Sequence, residues 1–265
     1  MDDDRADRTI SALRTGHDDL VARVGAMTTD DLTGPSAASE WTVAQVLSHL
    51  GSGAEIMLAT LTSALEGDAG LDDGYNQRVW DRWNAMAPGE QAEGLMRTNE
   101  ELVGRLEGLD QATKATLRID LGFLPEPVDV ATMAALRLSE FTYHSWDIRV
   151  MSDPAAALAP DALEPMLELL SMLIGFLGHA DVFDGEPGDL TVRTTAPDRT
   201  FGLQLRDAVA LVDTPAQQSG VLDTPAESWL RLTAGRLAPQ HTPPEVRLAS
   251  DTVTLDDLRR AFPGF

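Results

Sequence analysis

Apolar positions recur with a helical period through the first two thirds of the chain. Ile10, Leu13, Leu20, Val21 and Val24 fall on one face of a first predicted helix. A second opens on Thr42-Val43-Ala44-Gln45, a capping-box pattern in which the Thr and Gln side chains satisfy free backbone amides at the helix start. It carries Val43, Val46, Leu47, Leu50, Ile56, Met57 and Leu61. A third starts at Asn76, breaks near Pro88-Gly89 and resumes through Leu95, Leu102 and Leu106. A fourth runs from near Asp129 to Met151, and a fifth from Asp161 to His179. One-faced helices must bury their apolar stripes on each other, so residues 5–180 predict a bundle of about four helices with an extra helix leading out.

Beyond Phe183-Asp184-Gly185-Glu186-Pro187-Gly188 the period shortens to that of strands. Leu190–Arg193, Phe201–Leu205, Val209–Val212 and Val246–Leu248 are short strand candidates. Pro225 to Leu237 and Leu255 to Phe262 read as helices, the first with Pro at its start. The chain is therefore predicted as α+β with two domains: a helical one over 1–180 and a small α+β one over 185–265, with the linker near 181–188. No internal repeat or long low-complexity tract interrupts this plan.

Bulk properties narrow the function. With 43% hydrophobic residues over 265 positions, the chain can bury one large core or two smaller ones. No apolar run reaches the roughly 18 residues of a membrane span. The start, MDDDRADRTI, is acidic and does not read as a signal peptide. Cysteine is absent, so any thiol chemistry must use a thiol from outside. These features point to the cytoplasm. The net charge of −23 repels phosphate backbones and anionic lipids, which argues against nucleic-acid and membrane partners. Abundant Ala, Gly, Asp and Arg beside a single lysine, Lys114, suit a GC-rich genome.

The chemistry-bearing residues lie in the helical part. Glu140 and His144 are four apart, so both project from one face of the fourth helix, and Arg137 and Asp147 extend the stripe. A carboxylate and an imidazole so placed can grip a divalent cation. On an exposed helix the same pair would be a surface ion pair. Leu136, Leu138, Phe141, Tyr143, Trp146 and Ile148 flank the stripe, so the helix is predicted to be buried along much of its girth, where an unpartnered charge is costly. His49 sits in an apolar stretch of the second helix, where periodicity alone leaves a ligand and a hydrogen-bonded core histidine equally open.

The stretch EWTVAQVLSHL and the later SEFTYHSWDIRV resemble the metal-binding pattern of the DinB/YfiT-like four-helix bundles, closest to the mycothiol-dependent branch typified by maleylpyruvate isomerase. The resemblance implies His49, Glu140 and His144 as ligands of one divalent metal, with Asp147 at the acidic position one turn on. It also implies a second module similar to sterol carrier protein 2. There GVLDTPAESWLRLTAGRL matches a strand, a helix and a Gly-Arg pair, with Arg236 at the Arg position. In that family three protein ligands leave a coordination position open, the mark of a catalytic site. Mycothiol is then activated there as a metal-bound thiolate, which isomerises a cis double bond by addition, rotation and elimination, or is transferred to an electrophile. Zinc is the first choice of metal, with nickel, cobalt and iron also compatible with two imidazoles and a carboxylate.

Arginines suit the oxygen-rich substrate and cofactor. Asn76, Arg78 and Arg82 frame the third helix, and Arg236 lies on the second domain; Asn76, Arg82 and Arg236 are the candidate contacts to the thiol, and Arg82, Asp147 and Arg236 the candidate catalytic residues. Trp80 and Trp83 read as packing, and His17, His179 and His241 as surface or packing residues. The partners predicted are a small-molecule substrate and a low-molecular-weight thiol, with the chain a monomer or homodimer. Two other classes fit less well. A metal-dependent hydrolase would need no second module, and a non-catalytic binding protein would need no open metal position.

Overall fold

The computed structural model describes residues 2–68, 70–183, 187–215 and 218–264. They form two compact units, Met1–Ala156 and Ala157–Phe265.

The first unit is all helical: α1 (Asp2–Val24), α2 (Thr29–Thr33), α3 (Val43–Glu66), α4 (Tyr75–Asn84), α5 (Pro88–Glu107), α6 (Gln111–Thr116) and α7 (Val130–Arg149). The four long helices close a ring, because α1 packs on α5 and α7 and α3 packs on the same two. Leu13, Leu47, Leu50, Leu102, Leu106 and Phe141 meet at its centre, fully buried, each worth about 1.5–3 kcal/mol relative to exposure. The predicted break near Pro88 is real: Pro88 begins α5, where its missing amide costs nothing. α2 and α6 went unread because five or six residues are too few to display a helical period.

Gly51 of α3 and Gly94 of α5 make room for the Trp83 indole of α4. A Cβ on Gly51 would lie 2.2 Å from the Trp83 ring, and one on Gly94 would lie 2.8 Å from it. The indole therefore fills the space that two side chains would have taken. α7 is covered around most of its girth, as its flanking apolar residues predicted, so even Arg137, His144 and Asp147 are buried.

The second unit begins with α8 (Pro160–Leu177) and continues with β1 (Asp189–Thr195), β2 (Arg199–Leu205), β3 (Val209–Val212), β4 (Gln218–Pro225), α9 (Ala226–Thr233), β5 (Arg247–Ser250) and α10 (Leu255–Ala261). The sheet order is β3-β2-β1-β4-β5. β1 and β4 run parallel at its centre and every other neighbour pair is antiparallel. Val192 of β1 faces Phe201 on one side and Leu222 on the other. α9 packs on β1 and β4 and buries Trp229, which sits 5.7 Å from Phe201 and 6.2 Å from Phe262.

Two sequence expectations meet a different arrangement. The boundary was predicted near 181–188, with the fifth helix as an extension of the bundle, yet α8 packs on α9 and β3 within the second unit and the units divide at 156/157. Asp184, Gly185 and Glu186 of the predicted linker lie outside the described residues. Helical periodicity marks an apolar face without naming the surface that covers it, so α8 was assigned to the wrong neighbour. β4 shows little alternation because it opens on Gln218-Ser219-Gly220. Gly220 is required by packing, since a Cβ there would lie 2.5 Å from the Ser250 Cβ of β5. Only the family resemblance read a strand at that place. No helix among the described residues is long and apolar enough to cross a membrane.

Candidate metal centre

α3 is started by Thr42, whose hydroxyl accepts from the Gln45 amide while the Gln45 side chain accepts from the Thr42 amide at 2.8 Å. That reciprocal cap fixes the phase of the helix and so the direction in which His49, two turns in, projects. α7 is started by Asp129, which accepts from the Thr132 amide at 2.7 Å and pairs with Arg5 at 2.6 Å. Glu140 and His144 then face α3 from successive turns.

The three predicted ligands converge. The nearest nitrogen and oxygen atoms of His49, Glu140 and His144 all lie within 4.8 Å of one another. His49 Nε2 is 2.9 Å from Glu140 Oε2, and His144 Nε2 is 3.8 Å from the same oxygen. His144 is buried, whereas the side chains of His49 and Glu140 are 38% and 37% accessible, so the cluster opens to solvent on their side. Asp147 stands behind His144 with its Oδ2 2.9 Å from Nδ1. A carboxylate accepts, so Nδ1 is the donor and Nε2 keeps its lone pair turned toward the cluster. Asp147 is itself 1% exposed, and its carbonyl accepts from the Ala37 amide at 2.9 Å. Two imidazole nitrogens and one carboxylate, held at this spacing with an oriented ring, fit a divalent ion.

Burial alone would raise the Glu140 carboxyl, but the His49 hydrogen bond and its electrostatic interactions with His144, His49 and the Arg137 guanidinium outweigh it and hold the group below the ordinary glutamate range. Arg137, one turn before Glu140, is buried; its Nη2 donates to the Leu50 carbonyl at 2.8 Å and to Asn99 Oδ1 at 2.6 Å. Burial pushes its guanidinium down to about 10, opposed by the Glu140 charge, so it is a cation at neutral pH. The Asn99 amide is in turn 2.9 Å from His17 Nδ1, and His17 Nε2 lies 3.1 Å from Glu100. Thus a polar chain crosses the bundle core from α1 through α5 to α7. In the sequence His17 reads as a surface or packing residue and Asn99 carries no motif. A polar residue inside an apolar helical stripe was the available signal for both.

The remaining candidates lie elsewhere. Arg82 pairs with Glu55 of α3, which also accepts from the Trp83 indole at 2.9 Å, and among the described residues no hydrogen bond or ion pair joins it to His49, Glu140 or His144. Arg78 pairs with Asp72 at 2.7 Å, and Asn76 is exposed in the first turn of α4. Arg236 belongs to the second unit, largely buried, with its Nη1 donating to the Ala234 carbonyl at 2.9 Å. Trp83 is packing, as predicted, while Trp80 is 43% exposed.

The mycothiol maleylpyruvate isomerase N-terminal domain family matches residues 13–149, more than half of the chain and the span that carries all three converging residues. The chain belongs to this family. Mycothiol maleylpyruvate isomerase relatives also share its fold. The crystal structure of the mycothiol-dependent maleylpyruvate isomerase superposes with a TM-score of 0.61 at 16% identity, covering 94% of this chain and 95% of that one. A His-to-Ala mutant of that isomerase gives 0.60 at 15% identity with the same coverage. No curated protein matches the sequence. Membership makes the chain a member of an enzyme family, and the helical unit followed by a five-stranded sheet agrees with the α+β class read from the sequence.

Proposed function

We propose that the chain is a mycothiol-dependent isomerase or thiol transferase whose His49, Glu140 and His144 hold one divalent ion, zinc first among the candidates. The convergence of these three side chains from α3 and α7, with Asp147 behind His144, is the observation that carries the reading. When bound, such an ion supplies positive charge that favours the anionic form of a thiol presented to it. The chain's own residues prepare that place. Asp147 fixes the His144 tautomer, Glu140 remains an anion, and the solvent-facing side of His49 and Glu140 leaves room for a ligand. Since the chain has no cysteine, the nucleophilic sulfur must arrive with the thiol. Half-exposed Arg82 is the proposed contact for its oxygen-rich part, with Asn76 as a further candidate. For the second unit we propose a module similar to sterol carrier protein 2, supported by the GVLDTPAESWLRLTAGRL stretch forming a strand, a helix and a turn at Gly235 that leads into buried Arg236.

The test is calorimetric titration of zinc-loaded protein with mycothiol and with its S-methylated analogue, in buffers of different ionisation enthalpy. The expected result is tight binding of the free thiol with proton release, and much weaker binding of the capped analogue. Equal affinity for both would replace the thiol enzyme with a water-using hydrolase. His49→Ala, Glu140→Ala and His144→Ala should each bring zinc content well below one per chain. Full occupancy in all three variants would refute the site.

A further inference from the structure

Trp41 closes the segment Pro35–Thr42 that leads into α3, and the chain takes trouble to place it. Its carbonyl accepts from Ser36, at 3.0 Å from the backbone amide and 2.9 Å from the hydroxyl, and its own amide donates to Ala38 at 3.1 Å. The preceding residue, Glu40, sits at φ 67°, a left-handed conformation that residues other than glycine seldom adopt. The indole so placed lies 5.2 Å from the His49 ring and 6.0 Å from the His144 ring, tilted only 26° from the latter. Yet 37% of the residue is accessible, so the ring is not consumed by packing on the two imidazoles.

These facts define the approach to the centre. Asp147 blocks the side behind His144, so a ligand reaches the cluster from the face where His49 and Glu140 are open. Beside both histidine rings stands a flat, uncharged and partly accessible surface, the Trp41 indole. An indole surface favours a planar π-system over a flexible saturated chain, because a rigid flat group stacks with offset geometry and loses little rotational freedom on doing so. The geometry points to Trp41 as a specificity-determining residue that selects ligands whose carboxylate or carbonyl end is conjugated and planar. This inference rests on the proposed metal centre, because the ion supplies the charge that brings an acidic ligand to a chain of net charge −23.

The test uses two six-carbon monocarboxylates of equal charge as probes, sorbate (a planar dienoate) and hexanoate (saturated and flexible). Their affinities are measured by calorimetry on zinc-loaded wild type, Trp41→Leu and Trp41→Phe, with zinc content and Tm recorded for each. Wild type should bind sorbate about five-fold more tightly than hexanoate, which corresponds to about 1 kcal/mol. Trp41→Leu should reduce that ratio below two-fold with zinc content still near one, and Trp41→Phe should restore most of it. A ratio unchanged in Trp41→Leu, or no preference in wild type, overturns the assignment while leaving the metal centre intact. Loss of zinc from Trp41→Leu would instead make Trp41 a structural support of the histidines, and would also overturn it. A wild type that takes up no zinc removes the metal centre itself, and this inference with it.

Discussion

Replacing Asp147 separates orientation of a ligand from ligation itself. Its carboxylate is 1% exposed and 2.9 Å from His144 Nδ1, so it holds an imidazole whose other nitrogen faces the cluster. A buried hydrogen bond to a charged group is worth about 1.5–3 kcal/mol. At about 1.4 kcal/mol per tenfold this predicts a loss of roughly 10- to 150-fold in metal affinity, which agrees with the 10–100-fold typical for such supporting carboxylates. Asp147→Asn keeps an acceptor for Nδ1–H and removes the charge, so it belongs at about tenfold. Asp147→Ala frees the ring to rotate and to change tautomer, so it belongs near or beyond a hundredfold. Both are read by competition for zinc against a chromophoric chelator, with Tm reported alongside so that unfolding is not mistaken for weak binding. If both variants hold zinc within two-fold of wild type, Asp147 does not orient His144 and the arrangement drawn from the distances is wrong.

Gly51→Ala should lower stability by about 1–3 kcal/mol in denaturant melts, because its methyl would collide with the Trp83 ring at 2.2 Å; unchanged stability would mean that the indole of α4 yields freely. His17 is held below its ordinary value mainly by burial, against the nearby Glu100 charge, so the unfolded chain takes up a proton near pH 6.5 before the folded one does. Its contribution is therefore present above that pH and is lost as pH falls through 6.5 toward the lower folded value, by at most about 1.4 kcal/mol per pH unit, and His17→Gln should flatten the melts between pH 6.5 and 5.5. A fragment ending at Ala156 should fold and bind zinc, since the three proposed ligands and Asp147 all lie within the first unit. A fragment that is folded yet takes up no zinc would require ligands from the second.

What the sequence determined by itself were the features governed by local spacing. Helical period located α1, α3, α5, α7 and α8, a four-residue cap located the start of α3, and an i,i+4 spacing put Glu140 and His144 on one face. The family resemblance joined His49 to them, a step that periodicity left open because a core histidine and a ligand show the same pattern. Tertiary structure decided everything that depends on which surfaces meet. α8 has an apolar face that would suit either unit, and only packing assigned it to the sheet. Arg137, Asn99 and His17 stand on three different helices, 38 and 82 residues apart along the chain, and became one polar chain only when α1, α5 and α7 closed around them. Arg82, which suited a ligand by its charge, is tied to Glu55 for the same reason: a long flexible cation takes the partner that folding brings near, and no spacing rule in the sequence names that partner.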